Sequence, residues 1–195
     1  MRFLSFLTTK VLQTSQFQSS FYYAWLQGAL PLNGVNLAAR QCLIGGNYGL
    51  LNRTTFEAQP DYFIAWIYRR LFDEFLGATV TSVHVNASQT AEVSGLRVFA
   101  FRGPETNSKR LYVVINLSVN TEFYLTLPTA TGQRMEWHVQ GAPDEHSTKI
   151  TINGGTPRLV PGLPPTLWDV NRIANPVPAG DRVIVAPATI VFAVA

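Results

Sequence analysis

The sequence predicts a mainly β fold: an antiparallel β-sandwich preceded by a short α–β–α run. Two observations carry this. From Thr79 onward apolar residues alternate with a period of two, and turn-formers separate the runs. Before Thr79 the periods are those of helices, with one extended apolar run between them. Residues 1–78 and 79–195 therefore read as two regions.

In the first region, "SSFYYAWLQGAL" predicts a buried helix ending near Gly28, with Pro31 blocking its continuation. "VNLAARQCLI" follows, extended and mostly apolar, as a strand buried on both faces would be. It runs into Gly45, Gly46, Asn47, Tyr48 and Gly49. Pro60 and Asp61 then open a second amphipathic helix, with Phe63, Ile64, Ile67, Tyr68 and Leu71 at three- and four-residue spacing and Gly77 as its stop. In the second region, "TVTSVHV", "LRVFAF", "LYVVINL", "EFYLTL", "RMEWHV", "TKITI" and "VIVAPATIVFAV" are strand candidates with no helix between them, the pattern of a sandwich. The Pro-rich stretch from Pro157 to Pro178 reads as a surface connection with room for an edge strand. Trp137 alternates with Met135 and Val139 on an apolar face and is expected in the core; Trp168 falls in the Pro-rich connection.

Composition narrows the function. Of the 195 residues 47% are apolar and 14% charged, below the roughly one quarter usual for globular domains. A chain so poor in charge is expected to cover part of its apolar surface with something else. The formal charge of +3 is spread out, with Arg69-Arg70 and Lys109-Arg110 as adjacent pairs, which argues against a nucleic-acid footprint. The single cysteine, Cys42, excludes an internal disulfide and a Cys-rich zinc site. His84, His138 and His146 lack ligand-like spacing, so neither metal nor cofactor is expected. No apolar run reaches the roughly 20 residues of a membrane-spanning helix, and the start, "MRFLSFLTTK", makes a poor signal peptide. Asn52, Asn86 and Asn116 each begin an N-glycosylation sequon.

The Gly-rich turn has two readings. Binding groups gather at the C-terminal ends of parallel strands, and glycines let backbone N–H groups approach a ligand. A tight turn with a packed tyrosine would look the same. "RQCLIGGNYGLLNRTTFEAQPDYFIAWIYRRLF" resembles the heparanase family, glycoside hydrolase family 79, above all its plant-type members. The likeness runs from about Thr14 to Ala195 and returns at "LRVFAF", "LYVVINLS", "INGGTPRLVPG" and "VIVAPATIVFAV".

The resemblance implies a (β/α)8 barrel followed by a sandwich. Asn36–Ile44 would be the last barrel strand, Pro60–Leu76 the last barrel helix, and residues 79–195 the sandwich. It also implies that Gln41, Gly46 and Tyr48 line a sugar cleft, with Asn47 beside them and Tyr48 holding a glucuronate carboxylate. The family cleaves glucuronide linkages with retention, which needs two carboxyl groups about 5 Å apart. Its acid/base stands in an Asn-Glu pair and its nucleophile follows a glycine; this chain contains neither dipeptide. Its first acidic residue is Glu57, and Glu57, Asp61, Asp73-Glu74 and Asp144-Glu145 read as helix-start or solvated groups.

The expectation is thus the C-terminal segment of a heparanase-like endo-β-glucuronidase, inactive alone; the alternative is a non-catalytic acidic-glycan-binding module or pseudoenzyme. A subunit completed by a separate barrel chain is a third reading. Expected partners are an acidic glycan or glucuronide, a missing N-terminal barrel portion, and further copies through exposed strand edges. The resemblance implies a secreted, lysosomal, vacuolar or membrane-associated location.

Overall fold

The computed structural model describes residues 15–35, 38–39, 42–45, 49–72, 79–82, 95–103, 109–128, 132–157 and 173–195. Two helices, α1 (Phe17–Leu32) and α2 (Pro60–Phe72), precede strands β1 (Thr79–Ser82), β2 (Leu96–Arg102), β3 (Arg110–Asn116), β4 (Phe123–Leu125), β5 (Gln133–Gly141), β6 (Ile150–Ile152), β7 (Asn175–Pro178), β8 (Val183–Val185) and β9 (Thr189–Val194). Seven strands form one antiparallel sheet in the order β1-β2-β3-β9-β5-β6, with β7 also on β5; β4 and β8 form a second, two-stranded sheet. The fold is mainly β, as expected, in three layers.

Strand alternation sorts the core. Phe99, Phe101, Leu111, Val113, Ile115, Trp137, Val139, Ile190 and Phe192 face α1 and α2, whose Phe17, Phe21, Ala24, Phe63, Ile64, Ile67, Tyr68 and Leu71 join the same core. The opposite face carries Leu96, Val98, Tyr112, Val114, Val191 and Ala193, which pack on Leu125, Val183 and Val185 of the small sheet. Trp137, 1% exposed, is a core residue as expected. The helices cover one face of the large sheet directly, so the hydrophobic core is continuous across residue 78.

Helix α1 differs from the expected helix in two ways. Its buried residues, Phe17, Ser20, Phe21, Ala24, Gly28 and Ala29, make one stripe, while Tyr22 and Leu32 are exposed. It also runs past Gly28 to Leu32 with Pro31 inside its last turn, where the missing N–H removes one i→i−4 hydrogen bond without ending the helix. The stop is a Schellman cap: Gly34, at φ +75°, donates to the Pro31 carbonyl and Val35 donates to that of Leu30, both at 3.0 Å. At the other end Phe17 and Gln18 donate their N–H groups to the carbonyls of Ser147 and Glu145, each at 2.8 Å. The sandwich thus satisfies donors that the helix start leaves open. Asp61, buried in the first turn of α2, accepts hydrogen bonds from Ser20 (2.5 Å) and Ser19 (3.2 Å), and Tyr68 donates to the Ala24 carbonyl at 2.9 Å. These bonds fix the two helices to each other.

Gly28 is where α1 meets the sheet. A Cβ there would lie 2.4 Å from Cγ of Phe99. Alanine normally favours a helix interior over glycine by about 1 kcal/mol, but here overpacking reverses the sign. Gly28→Ala is expected to destabilise the protein by about 1–3 kcal/mol, read as a lower urea midpoint. An unchanged midpoint would mean that α1 lifts off Phe99 without penalty.

Three expectations need correction. "VIVAPATIVFAV" is two strands in different sheets, because Pro187 and the left-handed Ala188 (φ +47°) turn the chain between β8 and β9. Of the strand expected over 36–44, the described residues 38–39 and 42–45 form only one bridge, Ile44 to Leu51, and Leu43 and Ile44 are 57% and 46% exposed. A doubly buried strand needs neighbours on both sides, and the described part of this chain supplies a single bridge. Asn116 is fully buried and donates through Nδ2 to the carbonyls of Thr121 (2.7 Å), Ala186 (2.9 Å) and Val185 (3.3 Å). It ties β3 to the end of β8 and has no nitrogen to offer a glycan. The edge strand allowed for in the Pro-rich stretch is β7; Trp168 and Asn86 lie outside the described residues.

Candidate functional site

Gln41, Gly46, Asn47 and Tyr48 lie outside the described residues, but both flanks of their turn are described. Leu50 donates to the Cys42 carbonyl (3.3 Å) and Leu51 to that of Leu43 (2.9 Å), so the chain returns beside itself across the Gly-rich segment. Cys42 (φ +69°) and Gly45 (φ +115°) take left-handed conformations. A Cβ on Gly49 would sit 2.9 Å from the Gly45 carbonyl oxygen and 3.0 Å from that of Leu51. The close backbone approach explains Gly49, and the left-handed φ explains Gly45.

From Gly49 the chain enters a tight loop that ends at α2. Asn52 donates its N–H to the Glu57 carbonyl (2.8 Å), and Gln59 donates to that of Leu50 (2.9 Å). The Asn52 side-chain oxygen accepts from the N–H groups of Thr54 (2.8 Å) and Thr55 (3.0 Å), an Asx turn. This loop forms one wall of an open cleft of about 660 Å³. Thr148, Lys149 and Ile150, at the start of β6, form the facing wall with Thr156 and Pro157, and Pro60 and Phe63 contribute apolar surface. Sequence reasoning missed this cleft, since its walls lie some ninety residues apart and no local pattern joins them.

The described carboxylates do not pair in this cleft. Glu57 is the acid that lines it, and it accepts a hydrogen bond from the Thr55 hydroxyl at 3.2 Å. Asp61 is buried against Ser19 and Ser20, so its role is helix-to-helix tethering as well as favouring the helix start. Among the described residues no group of three or more His, Cys, Asp or Glu side chains is placed to hold a metal.

A charged row that sequence reasoning did not single out lies on β5. Arg134 and Glu136 are buried on the face opposite Trp137, and Glu136 Oε1 lies 2.6 Å from both Nε and Nη2 of Arg134. Glu136 Oε2 lies 2.7 Å from Nε2 of His138. Burial alone would raise the Glu136 pKa, but the hydrogen bonds and charges of His138 and Arg134 outweigh it and hold the carboxyl below its usual range. A pKa depressed by folding contributes stability above the unfolded value of about 4.5, and that stability is lost as pH falls through the folded value. Urea midpoints should therefore decline as pH drops below about 4.5, and Glu136→Gln should flatten that acid limb. An equally steep limb in the variant would assign it to other groups.

No family model matches the chain. It is 28% identical over 207 residues to heparanase-like protein 3 of Arabidopsis thaliana, covering 93% of this chain and 36% of that protein. Heparanase-like protein 1 of the same plant is 33% identical over 111 residues, covering 57% of this chain and 19% of the relative. Baicalin-beta-D-glucuronidase of Scutellaria baicalensis is 26% identical over 163 residues, or 82% of this chain and 29% of that enzyme.

Among solved structures, the GH51 alpha-L-arabinofuranosidase from Thermotoga petrophila superposes with a TM-score of 0.57 at 10% identity, over 92% of this chain and 38% of that one. The GH51 arabinofuranosidase from Xanthomonas axonopodis pv. citri gives 0.56 at 12%, over 92% and 35%. These two share the fold. The chain spans about a third of the first relative's length. The chain is thus similar to part of heparanase-like protein 3 over 93% of its own length, and to parts of heparanase-like proteins 2 and 1 over 55% and 57% of it.

Proposed function

We propose that the chain is the C-terminal part of a heparanase-like retaining β-glucuronidase, in which its sheets and helices buttress a barrel that carries the chemistry. The observation that supports this most is the match to heparanase-like and β-glucuronidase relatives over 82–93% of the chain. Gln41, Gly46, Asn47 and Tyr48 would form one side of a glucuronate pocket, with the Tyr48 hydroxyl donating to the sugar carboxylate. Retention requires two carboxyl groups, and the described cleft contains one, Glu57. The two catalytic glutamates would come from the portion of the relatives that this chain does not match. The unmatched barrel portion is accordingly the expected partner, and an acidic glycan the expected ligand.

Hydrolysis of an aryl β-glucuronide is the direct test. The chain alone should give no turnover, and the chain joined to a barrel portion bearing both glutamates should give turnover. In the joined protein Tyr48→Phe should raise KM about tenfold or more with a smaller change in kcat, as loss of a charge-assisted hydrogen bond predicts. Turnover by the chain alone would sink the division of labour. The open cleft without a carboxylate pair favours the second reading, a glycan-binding module without hydrolysis, if joining restores nothing.

A further inference from the structure

We infer that the cleft between the 52–60 loop and the start of β6 is itself a binding site for an acidic oligosaccharide, built from residues other than those of the Gly-rich turn. Its own chemistry points there, whatever the chain hydrolyses. Phe56 is 60% exposed and sits at φ +57°, a conformation that costs a non-glycine residue about 1–2 kcal/mol. The loop holds it there by the Asn52 Asx turn and by the Phe56 N–H donating to the Asn52 carbonyl at 2.9 Å. A strained backbone that turns an aromatic ring out to solvent, against the pull of a nearby apolar floor, is a feature of ligand-facing loops.

One polar group in the same cleft is unanswered, and a second is an exposed cation. Gln59 Oε1 is buried and accepts no hydrogen bond among the described residues. A buried acceptor of that kind calls for a donor. Lys149, on the opposite wall, forms no ion pair among the described residues. Glu57 adds an exposed acceptor, and Thr148 and Thr156 add hydroxyls.

A saccharide matches this set. Its ring offers a C–H face to Phe56, hydroxyl donors to Gln59 and Glu57, and acceptors to the threonines. A carboxylate on the sugar meets Lys149. A purely apolar ligand would leave Gln59 unanswered, and a neutral sugar laid over the exposed Lys149 would displace its water without supplying a counter-charge. The volume of about 660 Å³ lies within the range of small-ligand sites.

The test is calorimetric titration of the whole chain with a tetrasaccharide of alternating glucuronic acid and N-acetylglucosamine, and with its methyl ester. The acid should bind about tenfold more tightly than the ester, and Lys149→Met should erase that preference. Phe56→Ala should weaken both ligands by about tenfold. Both residues are exposed, so melting temperatures should match the parent and exclude misfolding. Absence of binding at millimolar ligand, or equal affinities in parent and variants, would overturn the inference. Binding lost instead in Gln41→Ala and Tyr48→Phe would also overturn it, while leaving the glucuronidase proposal standing.

Discussion

Arg134→Met is expected to destabilise the protein by about 3–5 kcal/mol, the range for breaking a buried ion pair from one side. The side chain is fully buried. Besides Glu136, its Nη1 donates to the carbonyls of Ala179 (3.2 Å) and Asp181 (3.1 Å), in the link between β7 and β8. Since β7 belongs to the large sheet and β8 to the small one, Arg134 clamps the segment that passes between layers. Methionine fills similar space but leaves a buried carboxylate held by His138 alone and two carbonyls without their donor. The double variant Arg134→Met/Glu136→Leu removes both charges and should recover a large part of the loss, because apolar replacements of buried pairs are often neutral. His138, 24% exposed, can turn to water. Urea midpoints of parent, single and double variants decide the matter. Equal destabilisation of the two variants would show that the carbonyl bonds, not the uncompensated charge, dominate.

Trp137→Ala should have a similar effect, about 3–5 kcal/mol, the usual loss for emptying a large aromatic site in a core. Trp137 stands directly across from Phe192 on β9, and Phe192 meets Tyr68 of α2 edge to face at 5.0 Å. The ring thus sits where the central strands meet the helical layer. Its removal should lower the urea midpoint and also weaken near-ultraviolet dichroism from the aromatic layer. If the cleft binds saccharide as proposed, the folded fraction should keep that affinity, because Trp137 is buried away from solvent. A drop in affinity with unchanged stability would contradict the core assignment.

The two regions of sequence were not equally legible. Strands β2, β3 and β5 show dense β-branched and aromatic alternation, which survives in the structure because one face of each meets a defined layer. Helix α2 announces itself with Pro60, Asp61 and a clear apolar stripe. Helix α1 does not, since apolar residues lie on several of its sides; only the structure separates buried Phe21 from exposed Tyr22. Its true stop was written in Asn33-Gly34, outshone by Pro31. The Arg134–Glu136–His138 row has the alternation of an outward face, and its burial arises from a link more than forty residues away. Of the site, the turn residues came from family resemblance, and the cleft came from tertiary structure alone.

The sheet order has a consequence for how the chain reaches this fold. Strand β9, the last of the described strands in sequence, is the middle of the large sheet, hydrogen-bonded to β3 on one side and β5 on the other. Until Thr189–Val194 arrives, β3 and β5 each present an unpaired edge with apolar side chains on at least one face. The pairings that close the sheet span from about fifty to more than eighty residues of chain, so ring-closure entropy opposes them to the end and makes folding slow. During synthesis the nascent chain therefore carries a split sheet, open to mispairing with neighbouring copies, until β9 zips it shut.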